Sequence, residues 1–169
     1  MIIYKDLITD DEVMSDSFEM KLVDDIVYEV NGRMITKGAE NVDIGANPSA
    51  EEQEETLDEA AVQVIDIVDT FRLTSTPFDK KAYLSHLKAY MKSIKDKLKE
   101  KDASEDEIKK FETNAGAFAK KIVANFKNYD FYVGESMNPD GMVILLNYRE
   151  DGMTPFFTIW KDGLSEMKV

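Results

Sequence analysis

Between Asp79 and Asn128, apolar residues recur at three- and four-residue steps in two series: Leu84, Leu87, Met91, Ile94 and Leu98, then Ile108, Phe111, Ala115, Phe118 and Ile122. That spacing is the period of one face of an α-helix. Between the two series, Ser104-Glu105-Asp106-Glu107 has the spacing of a capping box, in which serine accepts from the third helical N–H and glutamate reaches back. The second helix should therefore begin near Glu105, and Asp79 is placed to cap the first. Two helices of about 22 residues each, roughly 33 Å long, joined by a short link, make an αα-hairpin over residues 79–128.

The rest of the chain reads as sheet, so the fold class is α+β in a single domain over 1–169. Asn138-Pro139-Asp140-Gly141 suits a type I turn, with proline at the second position and glycine closing it. Met142 to Tyr148 is apolar apart from Asn147 and too short for a typical helix, so it is expected to be a buried strand. Arg149-Glu150-Asp151-Gly152 reverses it into Phe156–Trp160, and Asp162-Gly163 turns again, which predicts an antiparallel meander over 142–168. A further strand is expected in MIIYKDLI at the amino terminus. Asn31-Gly32, a strong signal for a type I′ turn, predicts a hairpin of strands at 26–30 and 33–37. The β-branched run in Ala61–Leu73 suggests another strand.

Residues 38–59 carry eight acids and neither lysine nor arginine. Little there can offset the entropy of ordering, so 38–60 is expected to be a mobile acidic loop. Net charge is −13, which argues against nucleic acid as a partner. The charge is unevenly divided: residues 77–128 hold thirteen lysines against eight acids, leaving eight basic residues against 26 acids elsewhere. A basic module attached to an acidic remainder can approach acidic partners. Zero cysteines exclude disulfides and thiolate chemistry, and no apolar run is long enough to cross a bilayer. An intracellular, non-membrane protein is the expectation. His86, the single histidine, is read as structural. The sequence has no nucleophile-base arrangement, Walker motif or dinucleotide fingerprint, so no catalytic residue and no required cofactor are expected. Asp10, Asp11 and Glu12, or the Glu51–Glu55 cluster, could give calcium oxygen ligands, but neither has EF-hand spacing, and only weak binding is expected.

MIIYKDLI, IGANPSAEE at 44–52 and NYDFYVGESMNPDGMVILLNYREDGMTPFFTIWKDGL at 128–164 closely resemble the translationally controlled tumour protein family, and the likeness runs along the whole chain. The resemblance implies an Mss4-like coiled β-sheet core with the helical hairpin inserted into it. It is similar in fold to methionine sulfoxide reductase B, whose cysteine chemistry this chain cannot share. It further implies a cytoplasmic, cytoskeleton-associated protein linked to microtubules, protein synthesis and growth control, with weak calcium binding and an exchange or chaperone role toward a small Ras-like GTPase. Glu12 matches the acidic position facing the GTPase, with Glu135 on the same surface. Lys88, Lys92, Lys95, Lys97 and Lys99 match the basic hairpin that contacts tubulin. Residues 17–27, aligned with a segment that binds anti-apoptotic partners in some members, lack the required small residue before an aspartate, so that role is not carried over.

Overall fold

The computed structural model describes residues 1–37, 62–138 and 140–168. The expectations placed on the acidic stretch 38–60 and on IGANPSAEE fall outside those residues. Three antiparallel sheets are built from the described strands. The largest has six strands in the order β3 (Met20–Val23), β4 (Val27–Asn31), β10 (Pro155–Trp160), β9 (Ile144–Tyr148), β8 (Asp130–Val133) and β7 (Thr74–Ser75). A second places β1 (Ile2–Asp6) between β11 (Leu164–Lys168) and β2 (Glu12–Ser15), and the third pairs β5 (Met34–Lys37) with β6 (Val62–Ile65). With its helices the chain is α+β, as the patterning predicts. Among the described residues no helix is long and apolar enough to cross a membrane.

The run Met142–Leu146 is buried throughout, as are Phe157 and Ile159 facing it from β10. Arg149–Gly152 does reverse the chain: Arg149 donates its N–H to Thr154 O at 2.8 Å, and Gly152 adopts φ +71°. The expected meander stops there. After a short 3₁₀ turn at Lys161–Gly163, β11 leaves this sheet and pairs with β1 over Ile2↔Lys168 to Asp6↔Leu164. The turn at 138–141 closes with Gly141 N–H to Asn138 O at 3.2 Å.

Two further expectations are corrected. Strands do occupy 27–31 and 34–37, but they do not form a hairpin around Asn31-Gly32. Neither residue has positive φ, and Gly32 donates to Pro155 O at 2.8 Å. β4 pairs instead along β10, from Phe156↔Asn31 to Trp160↔Val27, which buries Val27 and Val30 in the core. An Asn-Gly pair permits a left-handed turn without requiring one, and the long buried edge of β10 outcompetes it. The left-handed turn sits upstream, at Asp24 (φ 53°) and Asp25 (φ 58°), joining β3 to β4. The second correction concerns 61–73, where β6 gives way after Ile65 to α1 (Asp66–Phe71). Asp66 Oδ1 accepts from the N–H groups of Ile67 (2.8 Å) and Arg33 (3.0 Å), and Ile67 and Phe71, four apart, bury one face. Arg72, at φ 54°, ends the helix in a left-handed cap.

The helical hairpin comprises α2 (Lys80–Glu100) and α3 (Glu105–Ala124). Both expected caps are present: Asp79 Oδ1 accepts from Ala82 N–H at 2.7 Å and Ser104 Oγ from Glu107 N–H at 3.1 Å. The hairpin is inserted between β7 and β8, which pair with each other, so it grows out of the large sheet without interrupting it. It packs down through aromatic contacts: Phe118 lies edge-on to Trp160 at 5.8 Å, and Tyr83 sits 5.0 Å from Phe131.

Candidate functional site

The segment following β1 is fastened to the glycine-punctuated stretch near residue 138. Asp6 is 2% exposed, and its carboxylate accepts from Met142 N–H at 2.7 Å and Ile8 N–H at 2.9 Å. Any Cβ on Gly141 would lie 2.6 Å from Asp6 Oδ2, so glycine is what lets this carboxylate reach the backbone. Asp11 Oδ2 accepts from Ser136 Oγ at 2.6 Å and Ser136 N–H at 3.2 Å. These bonds decide which acids remain available. Asp10, Asp11, Glu12 and Glu135 line a polar cleft of about 440 Å³ with Arg72 and Thr70, and of these acids Asp11 is the one tied to Ser136.

Glu12 and Glu135, distant in sequence, thus line the same cleft. Arg72 was not foreseen as their neighbour. Its guanidinium pairs with Glu135 Oε1 at 3.0 Å, both side chains being well exposed. A pair so exposed contributes about 1 kcal/mol or less, so a competing partner could replace it at little cost. One signal was available: Arg72 is the sole basic residue between Lys37 and Lys80. Among the described residues no group of three or more His, Asp or Glu side chains is placed to hold a metal, and Glu51–Glu55 lie outside them.

The second surface lies on α2. Because the helix is continuous from Lys80 to Glu100, steps of three and four residues put Lys88, Lys92, Lys95 and Lys99 on one face. Lys97 falls away from that face and pairs with Glu100 at 3.7 Å. Lys95 is bonded across the hairpin to Glu112 at 2.5 Å, and this bond holds the Glu112 carboxyl below its usual range. Lys88, Lys92 and Lys99 are exposed and form no ion pair among the described residues. His86 packs 5.7 Å from the Tyr90 ring in a stacked arrangement and 5.9 Å from Phe78, consistent with a structural role.

A third group of charges joins the hairpin to the sheet. The left-handed β3–β4 turn presents Asp24 to Lys121 at 2.6 Å, and Asp25 to Lys110 and to Lys161, the latter at 3.4 Å. The hydrogen bond from Lys110, supported by the charge of Lys161, lowers the Asp25 pKa; the same bond raises that of Lys110. Burial instead pushes Asp162 upward. Two of the hairpin's thirteen lysines are therefore used for anchoring, and both lie on α3.

Comparison with known proteins agrees with this architecture. A family model described as translationally controlled tumour protein matches residues 1–165. The translationally-controlled tumor protein homologs of Alternaria alternata and Saccharomyces cerevisiae are 59% and 50% identical to the chain, with 100% of both chains covered in each case. Among solved structures, the translationally controlled tumor-associated protein of Schizosaccharomyces pombe superposes with a TM-score of 0.83 at 53% identity, covering 100% of both chains. The translationally-controlled tumor protein of Caenorhabditis elegans gives 0.71 at 33% identity, covering 100% of this chain and 99% of its own. With family model, relatives and fold in agreement along its length, the chain belongs to the translationally controlled tumour protein family.

Proposed function

We propose that this protein is a non-enzymatic cytoplasmic adaptor that docks through its helical hairpin on acidic protein surfaces, microtubules first among them, and through that association serves cytoskeletal stability and protein synthesis. The observation that supports the reading is the α2 face on which Lys88, Lys92 and Lys99 are exposed, with no acid paired to them among the described residues. Internal neutralisation, the arrangement that would oppose docking, is confined on this face to Lys95 with its Glu112 partner. On this reading calcium is a weak counter-ion of the acidic remainder and not a resident cofactor. Co-sedimentation with polymerised tubulin tests the proposal: Lys88→Glu, Lys92→Glu and Lys99→Glu combined should reduce pelleting at least tenfold, whereas Lys97→Glu should change it less than twofold. Pelleting of the triple variant at the wild-type level would refute it.

A second reading is favoured by the cleft that collects Glu12, Glu135 and Arg72. It is a regulatory surface for a small Ras-like GTPase, in which the carboxylates engage cationic side chains of the partner and displace the exposed Arg72–Glu135 bond. Nucleotide release from a purified Ras-like GTPase should accelerate at micromolar protein, and Glu12→Val should remove the acceleration. Equal release rates with and without the protein would end this reading and leave the first untouched.

A further inference from the structure

α2 and α3 use one stripe each against the sheet, through Tyr83, Tyr90, Phe118 and Ile122, all buried. Beside that stripe the two helices leave an apolar groove of about 410 Å³, floored by Leu84, Leu87 and Met91 from α2 and Phe111, Ala115 and Ala119 from α3. Leu84 is 41% exposed in it. From Leu84 to Lys95 the groove runs about 16 Å along the helix axis, some three turns of a partner helix. A straight trough between two antiparallel helices is the seat a third helix occupies when ridges pack into grooves.

The charges around the groove select the occupant. Lys88, Lys92 and Lys99 follow its α2 side. On α3, Lys109 and Lys120 lie seven residues before and four after Gly116, which lines the groove, and helical geometry sets them on the same side as that glycine. None of these five lysines forms an ion pair among the described residues, and all are exposed. The acid lining the groove, Glu112, is bonded to Lys95. We infer that the groove binds an amphipathic helix of a protein partner, with an apolar stripe on the floor and acidic side chains against the lysine rims. A second copy of this hairpin would set lysine against lysine. The inference goes beyond the adaptor reading, since it requires a folded apolar stripe in the partner and not negative charge alone.

Gly116 provides the test. A Cβ there would meet nothing within 4 Å, so a side chain at this position starts from open space beside the groove, and any residue other than proline suits a helix interior better than glycine; thermal unfolding of each variant checks that its fold is kept. The probe is a synthetic 18-residue helix with leucines at alternating three- and four-residue steps and glutamates flanking them; its control carries lysines at the flanks. Binding is followed by amide shifts of the isotopically labelled full-length protein. The acidic peptide should bind at micromolar concentration with shifts centred on Leu87, Ala115 and Gly116. Affinity should fall at least tenfold in Gly116→Trp and in Lys88→Glu/Lys92→Glu, and stay within twofold in Gly116→Ala. Equal binding of the lysine-flanked control, shifts centred elsewhere, or a concentration-dependent dimer abolished by Gly116→Trp would overturn the assignment. Because Gly116→Trp leaves every lysine in place, lost peptide binding with unchanged microtubule pelleting separates this inference from the adaptor reading, which fails only if the lysine variants pellet normally.

Discussion

Tyr90 and Gly163 show how closely single residues are matched in this core. The Tyr90 hydroxyl is buried, has no hydrogen-bond partner among the described residues, and lies where a Cβ on residue 163 would collide with it. Burial drives its pKa well above that of a free phenol, so it stays protonated and carries its desolvation cost. Gly163→Ala should therefore destabilise the protein by about 1–3 kcal/mol through overpacking. Tyr90→Phe should be neutral or stabilising, because it deletes an unpaired buried polar group. In the Tyr90→Phe background, Gly163→Ala should recover at least half of its cost, since what remains near the Cβ is the end of the flexible Met142 side chain at 2.8 Å and a ring carbon at 3.2 Å. Urea unfolding of the four proteins measures the coupling, and strict additivity would contradict the geometry. None of this was legible beforehand. Asp162-Gly163 reads as a turn from local preference alone, and the ring that requires the glycine comes from a helix 73 positions earlier.

At the scale of elements, the two hairpin helices and the β9–β10 reversal were legible, whereas α1 and the pairings between distant strands were not. Stripe, N-cap and capping box are all local signals within a few residues of the backbone they control, and Asp79 and Ser104 cap where expected. Strand partners, by contrast, are chosen by competition between distant edges, so β4, paired with β3 on one edge, takes β10 and not β5 on the other. The β3–β4 turn gained a second role in the process, because Asp24 and Asp25 hold α3 through Lys121 and Lys110. Asp25 is held below its ordinary value when folded, so its stabilisation is fully present above the unfolded pKa near 4 and is lost as pH falls through the lower folded value. Asp162, shifted the other way by burial, penalises the folded state when ionised, and acid relieves that penalty. Asp25→Asn should accordingly be less stable than wild type at pH 6 and lose less stability on acidification to about pH 3, through the range where free aspartate titrates. Urea unfolding followed by the emission of Trp160, which packs against Phe118 of α3, reads both effects, and identical pH slopes for the two proteins would dismiss the anchoring role.

For the molecule as a whole, the division between a basic hairpin and an acidic remainder governs what it can approach. Exposed lysines act over a Debye length of about 8 Å at physiological salt, so microtubule pelleting should weaken steadily as ionic strength is raised, and salt-independent pelleting would remove electrostatics as its cause. The sequence by itself determined this partition, the helical hairpin, the burial of Met142–Leu146 and the α+β class, because composition and short-range periodicity act through neighbouring residues. Only the tertiary structure decided that Glu12 and Glu135 share a cleft with Arg72, that Lys95 and Lys97 are paired while Lys88, Lys92 and Lys99 are exposed with no ion pair among the described residues, and that the hairpin keeps an apolar groove between its helices. Each of these depends on which long-range packing leaves which side chain exposed, and burial against a distant element has no signature in the residues flanking it.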